Sequence, residues 1–337
     1  MINNARALET AYVPQDLEHR EGQIDQLVGE LNPLVHGLSG EHSFIFGPSG
    51  AGKTTLAKFV VRKLQEESFG VQDAYHNCMS ASAKTDVLHG LVNDSGLGKR
   101  LPKDGVSTSR YLDCIRDSDD HIVAIVDEVD VLDDETTLIG LSELPNVTLV
   151  MITIDEHDFF SDPRFEGRVK SRFRACEKIP LRRYEQHELE DILWSRVDAG
   201  LKPGVIDSYV VEYIANKAAG DAREAIILLR RATMRVMHDD RSEITVGDVD
   251  AVETGAMEEK RQGHIDSLGT HKRLLYDIIK RTGEISASEL RSTYEERSHN
   301  PRGDTTRGRY LSALENKYDL ITSTGTSRGT TYAVSDI

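Results

Sequence analysis

The chain has 337 residues, 38% of them hydrophobic, which suits two or three domains with sizeable cores. Its three cysteines, Cys78, Cys114 and Cys176, form no CxxC pair, and no run of about 18 apolar residues occurs, so neither a disulfide framework, a cysteine zinc site nor a membrane span is expected. The net charge of −16 argues at first against a nucleic-acid partner, but residues 265–337 hold 11 Lys/Arg and 10 Asp/Glu, so the acidic excess lies in the rest of the chain. Surface acid with few lysines fits a high-salt cytoplasm. The opening MINNARALET lacks a basic stretch followed by an apolar one, so no secretory signal and a cytoplasmic location are expected.

In chain order, an irregular lead over Tyr12-Val13-Pro14 precedes a helix predicted from Glu21 to Val35, because Ile24, Leu27, Val28 and Leu31 recur at helical spacing. Ser43–Phe46 reads as a short strand, Lys53–Glu67 as a helix and Val71–Asn77 as a second strand. Residues 80–118 read as helical pieces broken at Gly96–Gly105. The apolar runs Ile122–Val126 and Val147–Ile154 read as buried parallel strands. Strands alternating with helices predict a doubly wound α/β domain, with binding chemistry at the carboxyl ends of the strands.

From Leu181 the pattern becomes helical: Leu189, Ile192, Leu193 and Val197 form one stripe, and Tyr209–Ala218 and Ala222–Met237 read as further helices. Gly263–Gly269 reads as a linker. The expected organisation is a nucleotide-binding core over residues 1–180, a helical lid over 181–262 and a C-terminal domain over 263–337.

That last domain is predicted to hold helices over His271–Arg281 and Ala287–Glu296, a polar turn over His299–Asp304 and a third helix over Thr305–Tyr318. Tyr310, Leu311, Leu314 and Tyr318 share its core face; Arg302, Thr305, Arg309, Ser312 and Asn316 fall opposite, with Arg307 near the core stripe. Leu320-Ile321, a turn carrying Arg328 and Thr331–Val334 read as a β-hairpin wing. Three helices and a wing form a helix-turn-helix arrangement whose third helix would enter a major groove, with Arg328 on phosphate or minor groove. Charge alone fits a protein-contacting winged helix equally well.

Gly47-Pro48-Ser49-Gly50-Ala51-Gly52-Lys53-Thr54 matches G-x-x-x-x-G-K-[ST], with an apolar strand before it and a helix after. Glycines let backbone N–H groups close around phosphate oxygens at a helix N-terminus. Lys53 would bridge the β- and γ-phosphates of ATP, Thr54 would ligate Mg²⁺, and Thr55 would extend the phosphate contacts. Asp127 and Glu128 follow the apolar strand Ile122–Val126. Asp127 would hold Mg²⁺ and Glu128 would act as general base on the attacking water.

These motifs resemble the AAA+ superfamily and, more narrowly, the archaeal origin-recognition initiators. Tyr12-Val13-Pro14 with His19-Arg20-Glu21 resembles that family's opening, which packs near adenine and places Val13 in the nucleotide site. Asp162-Pro163-Arg164 and Arg168–Phe173 resemble the arginine-finger segment, which makes Arg172 the finger that reaches a neighbouring copy. Gly220-Asp221-Ala222-Arg223 resembles the sensor-2 motif, which sets Arg223 on the γ-phosphate. Lys99 and Arg100, with Lys103, lie in a segment similar to a DNA-touching insertion. From composition alone, Arg172 also fits a solvated basic face and Arg223 a pair with Glu224. One position departs from the family: Ile154 occupies the sensor-1 slot, where the family holds Asn, and only Thr153 or Asp155 offers a substitute polar group.

The resemblance implies an ATPase core with a parallel sheet, a helical lid and a C-terminal winged helix, using ATP/ADP and Mg²⁺. It implies an origin-binding initiator acting on double-stranded DNA, with a replicative helicase and other initiator copies as partners. An ATP-switched regulator or plasmid-type paralogue with weak hydrolysis is the alternative favoured by Ile154. A clamp-loader-like motor and a small-molecule kinase fit less well, the first because of sensor 1 and the second because of the lid.

Overall fold

The computed structural model describes residues 1–98, 101–102, 105–154, 156–161, 167–266, 268–298, 301–325 and 329–335. The chain divides into two compact units, Met1–Cys78 with Ser82–Glu253, and Met79–Ala81 with Thr254–Ile337. No described helix is long and apolar enough to cross a membrane.

The first unit opens with α1 (Glu21–Leu31), β1 (Ser43–Phe46), α2 (Lys53–Glu67), β2 (Val71–Asn77), α3 (Lys84–Asp94) and α4 (Thr108–Arg116). It continues with β3 (His121–Asp127), α5 (Thr136–Ser142), β4 (Val147–Thr153), α6 (Glu156–Ser161), α7 (Gly167–Phe173) and β5 (Glu177–Pro180). The strands form one parallel sheet in the order β2-β3-β4-β1-β5. Every residue of β4 is buried, which explains why an unbroken apolar run, and not an alternating one, marks it in the sequence. Leu27 and Leu31 of α1 and Leu56, Val60 and Leu64 of α2 pack with Ile45, Val123, Ile125, Val150 and Ile152 of the sheet.

α1 ends at Leu31, short of the predicted Val35. Asn32–His36 tightens into a 3₁₀ turn with Pro33 in its first positions, and Gly37 closes it at φ 73°. Proline has no N–H and disfavours the α conformation in the residue before it, so the helix stops although its apolar spacing continues.

Beyond the sheet come α8 (Gln186–Gly200), α9 (Ser208–Ala218) and α10 (Ala222–His238), followed by α11 (Val246–Asp266), which begins in this unit. Their starts are capped by side chains: Glu185 with Glu188 as a capping box, then Asp207, then Asp221. α11 runs through Gly263 to Asp266, so the predicted linker at Gly263–Gly269 is helical over its first four residues. A helical glycine costs only about 1 kcal/mol relative to alanine, and burial of Ile265 offsets it.

The second unit holds α12 (Thr270–Thr282), β6 (Glu284–Ser286), α13 (Ala287–Arg297), α14 (Asp304–Ser312), β7 (Ile321–Thr324) and β8 (Thr331–Val334). The strands form an antiparallel sheet ordered β6-β8-β7. β6 leaves no periodic signal in the sequence, because it is three residues long with a single buried side chain, Ile285. The third helix, predicted to reach Tyr318, leaves α geometry after Ser312, and Ala313–Lys317 forms a π turn. Tyr310, Leu311, Leu314 and Tyr318 are all buried, as their spacing predicts.

Candidate nucleotide and nucleic-acid sites

The glycine-rich loop joins the carboxyl end of β1 to α2. Two of its glycines are required by close approach as well as by backbone angle. A Cβ on Gly47 (φ 150°) would sit 2.2 Å from the Leu181 carbonyl oxygen, and one on Gly50 (φ 74°) 2.0 Å from Asp221 Oδ1. The Gly47 N–H donates to the Ile154 carbonyl at 3.1 Å, which fastens the loop's first residue to the end of β4. Pro48, Ser49 and Thr55 are half-buried around the loop, and Ala51 is buried beneath it.

Lys53 is 8% exposed, and its Nζ donates to the carbonyls of Gly47 (2.7 Å) and Pro48 (2.9 Å). The loop thus holds its own lysine against its own backbone. Parallel register brings β3 beside β2 so that Asp127 lies opposite Asn77. There the Thr54 hydroxyl donates to Asp127 Oδ2 at 2.6 Å, and the Tyr75 hydroxyl donates to the same oxygen at 3.2 Å. Burial, then the neighbouring Asp127 charge, pushes the Tyr75 phenol well above its ordinary value, so it stays a donor. Glu128 follows in the left-handed region at φ 58° and ψ 47°. Such a conformation costs a non-glycine residue about 1 kcal/mol or more and turns the chain sharply out of the strand.

The hydroxyl of buried Thr153 donates to Asp130 Oδ1 at 3.0 Å, so this substitute for the sensor-1 group is engaged with the acidic turn. Asp155, the other candidate, lies outside the described residues.

The start of α10 rests on the loop. The Ala222 N–H donates to the Gly50 carbonyl at 3.2 Å, while Asp221 Oδ1 caps the helix by accepting from the Glu224 N–H at 3.0 Å. Arg223, one residue further, is exposed. Arg172 is placed elsewhere. Its Nη2 donates to the Ser142 carbonyl at 2.8 Å and its Nη1 lies 3.7 Å from Glu143. Ser142 and Glu143 precede β4, so Arg172 stands at the opposite end of the parallel sheet from the glycine-rich loop of its own chain.

The lead segment also reaches the site. Val13 is half-buried, and its carbonyl accepts from Arg62 Nη1 of α2 at 3.1 Å. Arg20 is 2% exposed behind the loop. Its Nε and Nη2 donate to the Ala51 carbonyl (3.3 and 3.1 Å), Nη2 also to Arg182 O (2.9 Å) and Nη1 to His19 O (2.8 Å). Its guanidinium lies 3.7 Å over the Tyr184 ring. Burial lowers its pKa from the ordinary arginine value. Tyr75 and Tyr184 carry no motif in the sequence. Arg20 belongs to the His19-Arg20-Glu21 triplet, whose resemblance implies packing near adenine; its bonds here are to the carbonyl of the phosphate loop at Ala51.

In the second unit, Thr305 and Ser312 are exposed, Arg302 and Arg309 are half-buried, and Asn316 is exposed with its Nδ2 donating to Ser312 Oγ at 3.1 Å. Arg307 is buried, ion-paired with Asp304 and, at 3.3 Å, with Glu295. Lys99, Arg100, Lys103, Arg328 and Asp162-Pro163-Arg164 lie outside the described residues.

Comparison with known proteins agrees with this architecture. The AAA domain family matches residues 38–155, and the Cdc6 AAA+ ATPase-type lid domain family matches residues 190–254. ORC1-type DNA replication protein 9 of Halobacterium salinarum is 33% identical over 337 residues, covering 100% of this chain and 94% of that protein. ORC1-type DNA replication protein 1 of the same organism is 34% identical over 303 residues, covering 90% and 98%. Among solved structures, the Aeropyrum pernix ORC1 protein in complex with DNA superposes with a TM-score of 0.75 at 24% identity, over 99% of this chain and 93% of that one. The Aeropyrum pernix ORC2 protein in ADPNP-ADP complexes gives a TM-score of 0.65 at 23% identity, over 99% and 94%. At these identities the structures speak for the fold, and the sequence relatives speak for the family. With a parallel-sheet AAA+ core and a Cdc6-type helical lid, the chain belongs to the archaeal ORC1-type DNA replication proteins.

Proposed function

We propose that the protein is an ATP-dependent initiator that binds double-stranded DNA at a replication origin and helps recruit the replicative helicase in the cytoplasm, at the nucleoid. The observation that carries the nucleotide half is the meeting of Thr54 Oγ1 and Asp127 Oδ2 at 2.6 Å, beside a loop built around Lys53. A hydroxyl and a carboxylate are the hard oxygen donors that Mg²⁺ takes, so the residues fit that ion. When bound, Mg²⁺ supplies positive charge against the β- and γ-phosphates.

The chain's own groups do the rest. The backbone N–H groups from Ser49 to Thr54, with Thr55, cradle the phosphates in the loop that Gly47 and Pro48 open, and Lys53 leaves its two carbonyls to bridge them. Val13 lies against the base. Glu128 takes a proton from the attacking water, and Arg223 engages the γ-phosphate in cis. Arg172 serves a neighbouring copy, a reading supported by its seat away from its own loop. Ile154 offers no hydrogen-bonding side chain at the sensor-1 slot, and Thr153 is engaged by Asp130, which supports slow hydrolysis and a long-lived ATP state.

The antiparallel sheet, with its β7–β8 hairpin beside three helices, supports reading the second unit as a winged helix. In that reading α14 enters the major groove and Arg302, Thr305, Arg309 and Ser312 face the bases, with Lys99, Arg100 and Arg328 as further DNA contacts. The domain boundaries proposed are 1–180, 181–262 and 263–337.

Binding of the purified protein to genomic fragments, with and without ATP at near-physiological salt, tests the proposal. Selective retention of one origin-like repeat is expected. Sequence-indifferent or absent binding would overturn the DNA reading. A second reading, an ATP-switched regulator without helicase loading, is favoured by Ile154; bound sites clustering at promoters would select it.

A further inference from the structure

Arg20 belongs to the irregular lead, yet it is buried behind the glycine-rich loop and bonds three backbone carbonyls from three separate parts of the chain: His19 of the lead, Ala51 of the loop and Arg182 of the segment joining β5 to α8. Among the described residues no carboxylate hydrogen-bonds it; carbonyl dipoles and the face of Tyr184 hold its charge, and the charge of Glu188 favours it from further off. A buried cation is costly to place and is held in this way only where several donors are satisfied together.

The peptide bond converts this anchor into a direction. Carbonyl and N–H across a trans peptide point opposite ways, so fixing the Ala51 carbonyl toward Arg20 aims the Gly52 N–H away from it. Tyr184 braces the same peptide: a Cβ on Gly52 would sit 2.7 Å from the Tyr184 hydroxyl. Tyr184 is in turn tied to the sensor-2 segment, since its N–H donates to the Gly220 carbonyl at 3.2 Å. The Ala222 N–H holds the Gly50 carbonyl one peptide earlier. The loop's middle is therefore gripped from behind by the lead, by the β5–α8 segment and by the start of α10.

We propose that Arg20 is a positioning residue for phosphate binding: with Tyr184 it presets the Gly50–Lys53 backbone as an anion cradle and links that cradle mechanically to the lid. This inference rests on reading the loop as a nucleotide site. Because the cradle encloses the β-phosphate, which ATP and ADP share, loss of the anchor weakens both nucleotides alike. Loss of Arg223, a γ-phosphate contact, weakens ATP more than ADP.

The test compares Arg20→Met, Arg20→Lys, Tyr184→Leu, Arg223→Ala and Lys53→Ala in the full-length protein. Affinities for fluorescent ATP and ADP analogues are measured well below each variant's melting temperature, alongside amide hydrogen exchange of the loop. Arg20→Met is expected to weaken ATP and ADP equally, by about tenfold or more, with faster exchange confined to residues 50–53. Arg20→Lys, which can still bond one or two carbonyls but cannot span all three, should fall between wild type and Arg20→Met. Tyr184→Leu should act in the same direction with a smaller effect. Wild-type affinities and loop exchange in Arg20→Met would overturn the inference even where Lys53→Ala abolishes binding. Should Arg20→Met fail to fold, wild-type behaviour of Arg20→Lys overturns it instead. Unchanged affinity in Lys53→Ala would remove the nucleotide reading itself and this inference with it.

Discussion

The nucleotide site and the outward face of α14 solve opposite problems. Lys53 and Asp127 are buried and bonded to carbonyls and hydroxyls, whereas Thr305 and Ser312 stand in solvent on a helix whose other side is core. Phosphate binding needs donors already desolvated and aimed, because each must recover its hydration cost in one fixed geometry. Reading a duplex needs side chains that protrude, because the groove supplies the complementary shape. The first site is assembled from the lead, the loop, two strand ends and the lid, and the duplex-reading face proposed for the second unit from one helix and its hairpin. Damage should therefore be severe and specific in the first case, and graded in the second.

The sharpest way to break this contrast is Lys53→Ala. Removing the Lys53 cation from the cradle is expected to weaken ATP binding by about a hundredfold or more, since charge-assisted bonds to two phosphates are lost at once. Isothermal titration checks it, and wild-type affinity would mean that the loop is a structural turn. Next is Glu128→Gln, which keeps the shape and removes the base. Hydrolysis measured by phosphate release should fall by about a hundredfold while ATP affinity stays within about twofold. A fall in affinity instead would place Glu128 in binding and not in proton transfer.

On the other side of the comparison, Arg309→Ala should weaken duplex binding by about tenfold. A phosphate contact would lower the slope of log affinity against log salt by about one, and a base contact would leave the slope unchanged and relax sequence preference. Loss of all DNA binding from this single change would show that α14, too, is a preassembled site.

The smallest expected effect concerns scaffold chemistry near the start of α11. Burial opposes ionisation of Asp248, but hydrogen bonds from Arg241 and Thr245 outweigh it and hold the carboxyl at about 2, against an ordinary 3.8. A depressed folded-state pKa adds stability that is present above 3.8 and is lost as pH falls toward about 2. Asp248→Asn should cost about 1 kcal/mol at neutral pH, a discounted figure because Arg241 is partly exposed. Denaturant unfolding of both proteins should show the gap closing between pH 4 and 2, and a pH-independent gap would assign the effect to packing.

Much of this molecule is legible along the chain because its signals are local. The ends of α2 follow from Gly52 and from the apolar period. β3 and β4 follow from unbroken apolar runs that only a two-sided sheet can bury. The G-x-x-x-x-G-K-T spacing and the Asp127-Glu128 strand end raise the expectation of phosphate and metal chemistry, because loop closure around an anion tolerates few other residues. The buried stripe of α14 was readable from helical periodicity, although its π turn was not.

Tertiary structure alone decided what stands behind those motifs. Nothing in the sequence neighbourhood of Tyr75 or Tyr184 points to the nucleotide site, because Tyr75 reaches Asp127 from the neighbouring strand and Tyr184 reaches Gly52 from the β5–α8 segment. Arg20 becomes an anchor only when residues 19, 51 and 182 meet around it. The seat of Arg172 beside Ser142 depends likewise on how α7 packs on α5. Periodicity and motif spacing report a residue's partners within a turn or a strand. Partners about 30 to 160 residues away are chosen by the folding of the whole unit, and a single sequence does not display that choice.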